Sequence, residues 1–298
     1  MEQIRKKTLL IYGANGWIGE QFCDYLTSKN ISYYRGKARI ENNDELENEI
    51  LDIQPNNIIG FTGRTHGKIG DKIFSTIDYL EQDGKLYDNI RDNLYGPINL
   101  SFICQKLSIH YTYLGTGCIF EYDEKHSWGK EENGFTEDSE PNFVGSSYSI
   151  VKGFTDRIIK NFKNNVLNLR IRMPINSQNN PRNFITKITN YQKICSIPNS
   201  MTVLPDFFPI ILDMIHNKTT GTLNLTNPGL ISHNDILEMY KDIVDPNFTW
   251  ENFDIEEQNS ILDSKRSNNY LDTKKIEELY PDILNIKKSV RNILEQYK

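Results

Sequence analysis

The strongest constraint on the fold is a glycine-rich turn that joins a short apolar segment to an amphipathic one. Thr8 to Tyr12 has the pattern of a buried strand, and Gly13-Ala14-Asn15-Gly16-Trp17-Ile18-Gly19 follows it directly. The apolar residues that then recur at helical spacing are Ile18, Phe22, Tyr25 and Leu26. Gly13 permits a tight turn, Gly16 lets the backbone approach a pyrophosphate, and Gly19 allows close packing of helix on strand. The whole run, including Asn15, Trp17 and Ile18, is the predicted dinucleotide-binding turn, with the phosphates at the helix N-terminus.

Further strand-like segments alternate with helix-like ones over the first two-thirds of the chain. They are Ile31 to Tyr34 (strand two), Asn57 to Phe61 (strand four), His110 to Leu114 (strand five) and Val166 to Ile171. Such alternation indicates βαβ units around a parallel sheet. We therefore expect an α/β protein with a Rossmann-type doubly wound parallel sheet and a smaller C-terminal substrate-binding lobe.

The alternation becomes irregular after Pro174. Thr222 to Leu225 resembles another strand and Asn234 to Ile243 another helix, so the chain is expected to return to the sheet. The expected division is a cofactor domain over 1–172, completed by about 221–244, with 173–298 forming mainly the non-contiguous substrate lobe.

Bulk properties exclude several classes of protein. No segment reaches the ~18 consecutive apolar residues of a membrane span, and the apolar run at Leu9 to Tyr12 is too short for a signal peptide. The net charge of −6 argues against non-specific nucleic-acid binding. The four cysteines are far apart and form no CxxC pair, which favours neither a disulfide framework nor a metal site. We expect a cytoplasmic protein that binds neither nucleic acid nor membrane.

The segment after strand two bears on the choice of cofactor. NAD-binding proteins usually place an acidic residue there to hold the ribose hydroxyls. Tyr33 to Arg39 instead contains Arg35, Lys37 and Arg39 and no carboxylate. Three cations suit an adenosine 2′-phosphate, so NADPH is favoured over NADH; a solvated basic loop is the alternative.

A second motif, Tyr148-Ser149-Ile150-Val151-Lys152, carries proton chemistry. Residues four apart share a helix face, so Tyr148 and Lys152 project together towards the cofactor. A free phenol has a pKa near about 10, and a neighbouring ammonium lowers it. Tyr148 is thus the predicted acid or base, assisted by Lys152, and the Thr116 hydroxyl after strand five could hydrogen-bond a substrate carbonyl. A glycine turn, a strand-end hydroxyl and YxxxK in this order are typical of short-chain dehydrogenases/reductases.

Cys118 separates two hypotheses. It lies two residues beyond Thr116, so its side chain should leave the strand end on the same side. A thiol ionises more readily than a hydroxyl, which suits it to remove a proton from a carbon next to a ketone. The alternative is that Cys118 is a small apolar packing residue.

Several longer stretches make the chain similar to the nucleotide-rhamnose synthase/epimerase-reductase family, which is related to dTDP-4-dehydrorhamnose reductase. They are GTGCIFEYD (115–123), PNFVGSSYSIVKG (141–153), LRIRMPI (169–175), NNPRNFITKI (179–188), IPNSMTVL (197–204), TNPGLISHNDILEMYK (226–241) and RSNN (266–269). The likeness covers nearly the whole chain, and the segment from Thr62 to Leu86 is more divergent.

The resemblance implies an activity and an epimerisation pair. The implied reaction converts UDP-4-keto-6-deoxy-D-glucose to UDP-β-L-rhamnose with NADPH, by 3,5-epimerisation and 4-reduction. Cys118 would be one epimerisation acid or base and Lys187 its partner. Two alternatives stay open, a 4-reductase without epimerase activity and a non-catalytic NADP-binding regulatory subunit. The residues leave UDP and dTDP undistinguished, and pairing through the Tyr148 helix, common in this fold, makes a homodimer one expectation.

The resemblance also implies substrate contacts. Arg266 would hold the diphosphate, with Arg172 and Arg182 as further cations. Asn183, in the same stretch as Lys187, and Asn199, beside the uracil or ribose, complete the predicted substrate-binding set.

Overall fold

The computed structural model describes residues 8–297; residues 1–7 and 298, which the predicted domain bounds include, lie outside this part. In chain order the elements are β1 (Leu9–Tyr12), α1 (Trp17–Ser28), β2 (Tyr33–Arg35), α2 (Asn43–Ile53), β3 (Asn57–Gly60), β4 (Gly67–Ile69), β5 (Lys72–Phe74), a 3₁₀ turn (Ile77–Glu81), α3 (Lys85–Ile90), a π-helical segment (Arg91–Tyr95), α4 (Gly96–Lys106), β6 (His110–Thr116), α5 (Ser147–Ile159), β7 (Val166–Ile171), β8 (Pro174–Ile175), α6 (Phe184–Thr189), β9 (Lys193–Ile194), β10 (Thr202–Val203), α7 (Leu204–His216), β11 (Gly221–Asn224), α8 (His233–Ile243), β12 (Glu251–Asn252), α9 (Ile255–Ile261), α10 (Lys274–Leu279) and α11 (Ile286–Leu294).

A six-stranded parallel sheet in the order β2-β1-β3-β6-β7-β11 organises the molecule. The chain runs outward from β1 to β2 and then crosses to β3 on the other side, so the strand order reverses between β1 and β3. In such sheets ligands bind outside the carboxyl ends of the strands at this reversal. The predicted Rossmann-type doubly wound sheet is confirmed.

The numbering of two strands differs from expectation. The segments numbered four and five from the sequence are the third and fourth strands of this sheet, because residues 43–53 form helix α2. The glycine turn and the end of β3 therefore meet directly at the reversal, where a Cβ built on Gly13 would lie 2.8 Å from the carbonyl carbon of Phe61.

Apolar side chains cover both faces of the sheet. One face packs on α1 and α7, through residues such as Phe22, Leu26 and Phe207. The opposite face packs on α2, α4 and α5, through residues such as Leu46, Leu100 and Ile159. This double burial explains why the strands read as apolar runs without alternation.

A second apolar core lies outside the sheet and is assembled from separate pieces of the chain. Its buried members include Ile175, Ile185, Met201, Ile236 and Val290. Between these pieces, α7 packs on the main sheet and β11 pairs with β7. Ile236 and Leu237 of α8 belong to the second core, although α8 lies in the range expected to complete the cofactor domain.

No helix in the described part of the chain combines the length and apolar character needed to cross a membrane.

Candidate active site

The glycine turn has the geometry that a bound dinucleotide requires. Gly13 has φ of 74°, and a Cβ on Gly19 would lie 2.2 Å from the carbonyl oxygen of Gly13, so both positions need glycine. The Gly16 N–H donates to the Gly13 carbonyl at 3.0 Å. Helix α1 begins at Trp17 without a side-chain cap, which leaves the N–H groups of its first turn for an anion.

Two buried polar atoms beside the turn also fit a bound cofactor. Trp17 Nε1 and Thr62 Oγ1 have no hydrogen-bond partner among the described residues. Thr62 follows β3 and adjoins Gly13 across the reversal, since a Cβ on Gly13 would lie 2.9 Å from the Thr62 nitrogen. Buried polar groups are almost always satisfied, so these two atoms support a polar ligand at the turn.

The predicted basic segment lies next to the turn, but two of its cations have protein partners. Arg35 Nη1 donates to Asn15 Oδ1 at 3.0 Å. Arg39 pairs with the Glu41 carboxylate and lies 3.6 Å from Asp92 Oδ1. The exposed Lys37 ammonium has no partner in the part of the chain that the structure describes. Tyr33 to Arg39 contains no carboxylate, but Asp92 of the π-helical segment lies close to Arg39. The basic segment therefore has an acidic neighbour from another part of the chain.

The proton-handling residues converge at the end of β6. Ser146 caps α5 by accepting from the Ser149 N–H at 3.1 Å, which fixes where the catalytic helix begins. Tyr148, on the first turn, is 9% exposed, and Lys152 is buried one turn further on. The Cys118 N–H donates to Thr116 Oγ1 at 3.0 Å, so that hydroxyl retains its own proton for donation.

The electrostatics of this pair differ from the expected lowering of the phenol pKa. Burial raises the pKa of Tyr148, a charge on Cys118 raises it further, and the Thr116 hydrogen bond opposes both. Lys152 Nζ instead contacts the Tyr113 hydroxyl and lies 4.6 Å from the Tyr113 ring centre. Burial lowers the pKa of Lys152 to about 8. Tyr148 is therefore held as a protonated phenol, the form that a proton donor needs.

An apolar wall shields Tyr148 and comes from the divergent segment after β3. Phe74, Tyr79 and Leu80 form a cluster with Tyr148, against which the partly exposed Cys118 packs. These residues lie on β5 and the 3₁₀ turn, and no periodic pattern in the sequence indicated them. The wall limits water at the site where a proton would be transferred.

A group of cations interacts electrostatically with Cys118. Burial, and then the charges of Arg182 and Arg266, lower the pKa of Lys187 to about 8, whereas a charge on Cys118 opposes them. The four groups therefore interact electrostatically, although they come from three distant parts of the sequence. Lys187 lies on α6, whose start is set by Asn183 accepting from the Ile185 N–H.

His66 belongs to the same region and was missed from the sequence. Burial, and then the charges of Arg182, Arg64 and Lys187, lower its pKa to about 4. The imidazole is thus neutral among three cations. The sequence could have indicated His66 by its position just after the carboxyl end of a central strand, because ligands bind at that edge of the sheet.

Arg182 and Arg266 differ in how they are held. The half-buried Arg182 guanidinium has no hydrogen bond or ion pair within the described residues. Arg266 pairs with Asp78, with Nη2 to Oδ2 at 2.5 Å and Nη1 to Oδ1 at 3.2 Å. The charges of both guanidinium groups lower the pKa of Lys187.

Three residues that the sequence predicts to contact the substrate have hydrogen-bond partners within the protein. Arg172 is 1% exposed, and its guanidinium donates to Gly117, Ser200, Ser267 and Asn199. Asn199 accepts from Arg172 and donates to the Ile197 carbonyl and Asn268. Asn183 caps α6 and donates to the carbonyls of Asn176 and Gln178. Their polar atoms have partners within the protein, and their contact with the substrate stays a prediction.

The sheet order, with a strand-end hydroxyl beside a Tyr-x-x-x-Lys helix near the glycine turn, is that of a short-chain dehydrogenase/reductase. No protein-family model matches the chain. The chain is similar to the UDP-rhamnose synthase of Acanthamoeba polyphaga mimivirus, whose crystal structure has 52% sequence identity, a TM-score of 0.92, and coverage of 97% of this chain and 99% of that one. It is 41% identical over 285 residues to a bifunctional dTDP-4-dehydrorhamnose 3,5-epimerase/dTDP-4-dehydrorhamnose reductase of Arabidopsis thaliana, across 94% of this chain and 90% of the relative. A dTDP-4-dehydrorhamnose reductase of Clostridium acetobutylicum shares the fold, with a TM-score of 0.78 at 19% identity over 97% of this chain and 98% of that chain.

The chain belongs to the nucleotide-rhamnose epimerase/reductase family. The family expected from the sequence motifs is confirmed, and its members are enzymes.

Proposed function

We propose that this chain is a bifunctional UDP-4-keto-6-deoxy-D-glucose 3,5-epimerase/4-reductase that makes UDP-β-L-rhamnose with NADPH. The observation that carries the proposal is that Cys118 packs against the Tyr148 cluster and interacts electrostatically with both Tyr148 and Lys187, which links two sets of groups. Thr116 and Tyr148 are the reductive set, and Cys118 and Lys187 are the epimerising set. The 52% identity with a UDP-rhamnose synthase supports the substrate.

The cofactor site consists of the turn from Gly13 to Gly19 and its neighbours. The first-turn N–H groups of α1, Trp17 Nε1 and Thr62 Oγ1 suit the cofactor's polar groups, and Arg35, Lys37 and Arg39 suit the 2′-phosphate of NADPH. Tyr148 and Lys152 would face the nicotinamide end. When bound, NADPH supplies the hydride for carbon 4.

Reduction uses Thr116 and Tyr148. The Thr116 hydroxyl, which already accepts from the Cys118 N–H, would donate to the ketone oxygen at carbon 4. Tyr148, kept protonated by its burial, would give that oxygen its proton as the carbonyl is reduced. Lys152 adds a nearby positive charge that stabilises the developing oxyanion.

Epimerisation uses Cys118 and Lys187. A ketone at carbon 4 acidifies the hydrogens on carbons 3 and 5, because the resulting anion delocalises onto oxygen. Each inversion needs a base on one face of the ring and an acid on the other. Lys187, with its pKa lowered to about 8, exists in both protonation states near neutral pH, and Cys118 is the partner proposed for the opposite face.

The diphosphate needs cations, and two are proposed. Arg182 has no partner within the described residues, and Arg266 has an open guanidinium edge; both interact electrostatically with Lys187. An overall charge of −6 would repel an anionic substrate, so these local cations supply the attraction.

We further propose a two-lobed organisation. The cofactor domain spans 1–172, and α7 and β11 return to its sheet. The remaining parts of 173–298, including α8, form the substrate lobe around the second core.

A homodimer is proposed through α5 and α4. Ile150, Phe154 and Ile158 recur every four residues on α5, and Phe154 is 51% exposed. Phe102 of the adjoining helix α4 is 57% exposed. An apolar stripe of this kind suits a second copy of the same helix pair.

The four cysteines are free, which is consistent with the proposed cytoplasmic location.

The test is to incubate the purified chain with UDP-4-keto-6-deoxy-D-glucose and NADPH and to identify the product by NMR. We expect UDP-β-L-rhamnose. A product reduced at carbon 4 but unchanged at carbons 3 and 5 would indicate a plain reductase. Absence of turnover despite NADPH binding would favour a regulatory, non-catalytic role.

A further inference from the structure

The 3₁₀ turn Ile77–Glu81, hereafter the acidic turn, lies between the catalytic helix and the substrate lobe. At one end, Glu81 Oε1 accepts from the Ser147 N–H at 2.8 Å and from the Ser147 hydroxyl at 3.0 Å, next to Tyr148. At the other end, Asp78 pairs with Arg266 of the substrate lobe. The acidic turn therefore contacts both the residue that precedes the proton donor and the proposed diphosphate cation.

Asp78 is itself held firmly in place. Its Oδ2 accepts from the Thr76 hydroxyl at 2.5 Å, and its Oδ1 accepts from the Ser264 hydroxyl at 2.9 Å. Burial alone would raise the pKa of this carboxyl, but the hydrogen bonds and charge of Arg266, together with the Thr76 and Ser264 hydroxyls, keep the pKa below its ordinary value. Asp78 is thus a fixed anion that cannot follow Arg266 into another position.

The pairing uses only one edge of the guanidinium. Asp78 occupies the end formed by Nη1 and Nη2, and Nη1 also donates to the Ser264 carbonyl at 3.1 Å. The Nε–H and the second Nη2–H have no partner among the described residues. These two donors lie side by side on the other edge, in the geometry that binds two oxygens of one phosphate. The Arg266 side chain is 24% exposed, so it is not sealed within the protein.

We propose that Asp78 is a positioning residue that orients Arg266 so that its free edge receives the substrate diphosphate. The inference rests on the proposed function, because it needs a nucleotide diphosphate as ligand. Asp78 does not touch the substrate in this account; it acts through Arg266 alone.

The sign of the effect separates positioning from simple electrostatics. Asp78→Asn removes a negative charge beside a site for an anion, so Coulomb attraction alone would tighten UDP binding. The asparagine also places an N–H donor against a guanidinium donor, which breaks the two-oxygen contact and frees Arg266 to move. Positioning therefore predicts weaker binding, the opposite direction.

The experiment is a calorimetric titration of UDP into the full-length chain saturated with NADP⁺. We expect Asp78→Asn to weaken UDP binding by about tenfold, as expected for partial loss of a charge-assisted contact. The matched control is Asp83→Asn, which removes the same charge from an exposed position five residues away and should bind UDP like wild type. In steady state the Asp78→Asn loss should appear in KM, with kcat nearly unchanged.

A double-mutant cycle completes the test. If Asp78 acts through Arg266, Asp78→Asn should cause no further loss in an Arg266→Ala protein. Ser264→Ala, which leaves every charge in place, should weaken UDP binding a few-fold and serves if Asp78→Asn does not fold. Unchanged or tighter binding by either single variant, or additive losses in the cycle, would overturn the positioning role and leave the proposed function intact. A wild-type protein that does not bind UDP would refute the proposed function and this inference with it.

Discussion

Replacing Arg172 by lysine should destabilise the protein without a specific effect on substrate affinity. The guanidinium of Arg172 makes five hydrogen bonds with distances from 2.7 to 3.3 Å and is 1% exposed. One acceptor is the carbonyl of Gly117, which lies between Thr116 and Cys118. The arginine therefore ties the catalytic strand end to the segment around Ser267 in the substrate lobe.

The size of the loss follows from these bonds. A lysine ammonium has three donors at a single point, so at least two of the five bonds are lost. Each buried acceptor left without a donor costs about 1–3 kcal/mol. Asn269 Nδ2 still donates to the Gly117 carbonyl and to Ser267 Oγ, which reduces the cost. We expect a loss of about 2–4 kcal/mol, which lowers the Tm of a chain of this length by roughly 3–6 °C.

The assay is thermal unfolding together with UDP titration, with Arg182→Lys as the matched control. Arg182 is half-buried and has no protein partner within the described residues, so its replacement should leave the Tm nearly unchanged while weakening UDP binding. The reasoning is refuted if Arg172→Lys keeps the wild-type Tm and loses only UDP affinity.

Three further predictions concern the cofactor, the proton donor and the assembly. Replacing Lys37 and Arg39 with glutamine should raise the Kd for NADPH roughly 3- to 10-fold more than that for NADH. Equal losses of affinity for NADPH and NADH in fluorescence titrations would refute the cofactor assignment. Tyr148→Phe should lower the rate of NADPH oxidation by ~10²–10⁴-fold with little change in Tm. Because burial raises the pKa of Tyr148, this donor stays protonated as the pH rises, so the wild-type reduction rate should show no loss from Tyr148 deprotonation between about pH 6 and 9. Phe154→Glu should convert a dimer into a monomer in light scattering after gel filtration, and a dimeric variant would point to another interface.

The parts of the fold and site that follow from the sequence are those set by local spacing. The roles of Gly13 and Gly19 can be predicted because the positive φ of Gly13 and the close packing at Gly19 exclude a side chain at those positions. The placement of Tyr148 and Lys152 on one side of a helix can be predicted because residues four apart share a helix face. The site contribution of Lys187 came from family likeness alone, since a lone lysine on a short helix carries no local signal.

The remaining features depend on contacts between distant segments. Arg172 and Asn199 are predicted substrate contacts, and the hydrogen bonds that their polar atoms make to four separate segments follow from no local pattern. The expected lowering of the Tyr148 pKa assumed that helical spacing places Lys152 against the phenol, whereas Lys152 reaches across to Tyr113 on β6. The acidic turn escaped notice because its role depends on Arg266, which lies almost two hundred residues later.

The central claim, that one site both inverts and reduces the sugar, is tested most directly by turnover in D₂O. Inversion requires the hydrogens on carbons 3 and 5 to leave as protons, so solvent deuterium replaces them, whereas reduction places the cofactor's hydride on carbon 4. We expect wild type to carry deuterium at both flanking carbons. Cys118→Ser, whose hydroxyl has nearly the thiol's shape but ionises far less readily, should lose most of that label and still reduce a sugar supplied in the L-configuration. Deuterium incorporation by Cys118→Ser at the wild-type rate would show that Cys118 only packs, and a wild-type product without deuterium at carbons 3 and 5 would contradict the bifunctional account.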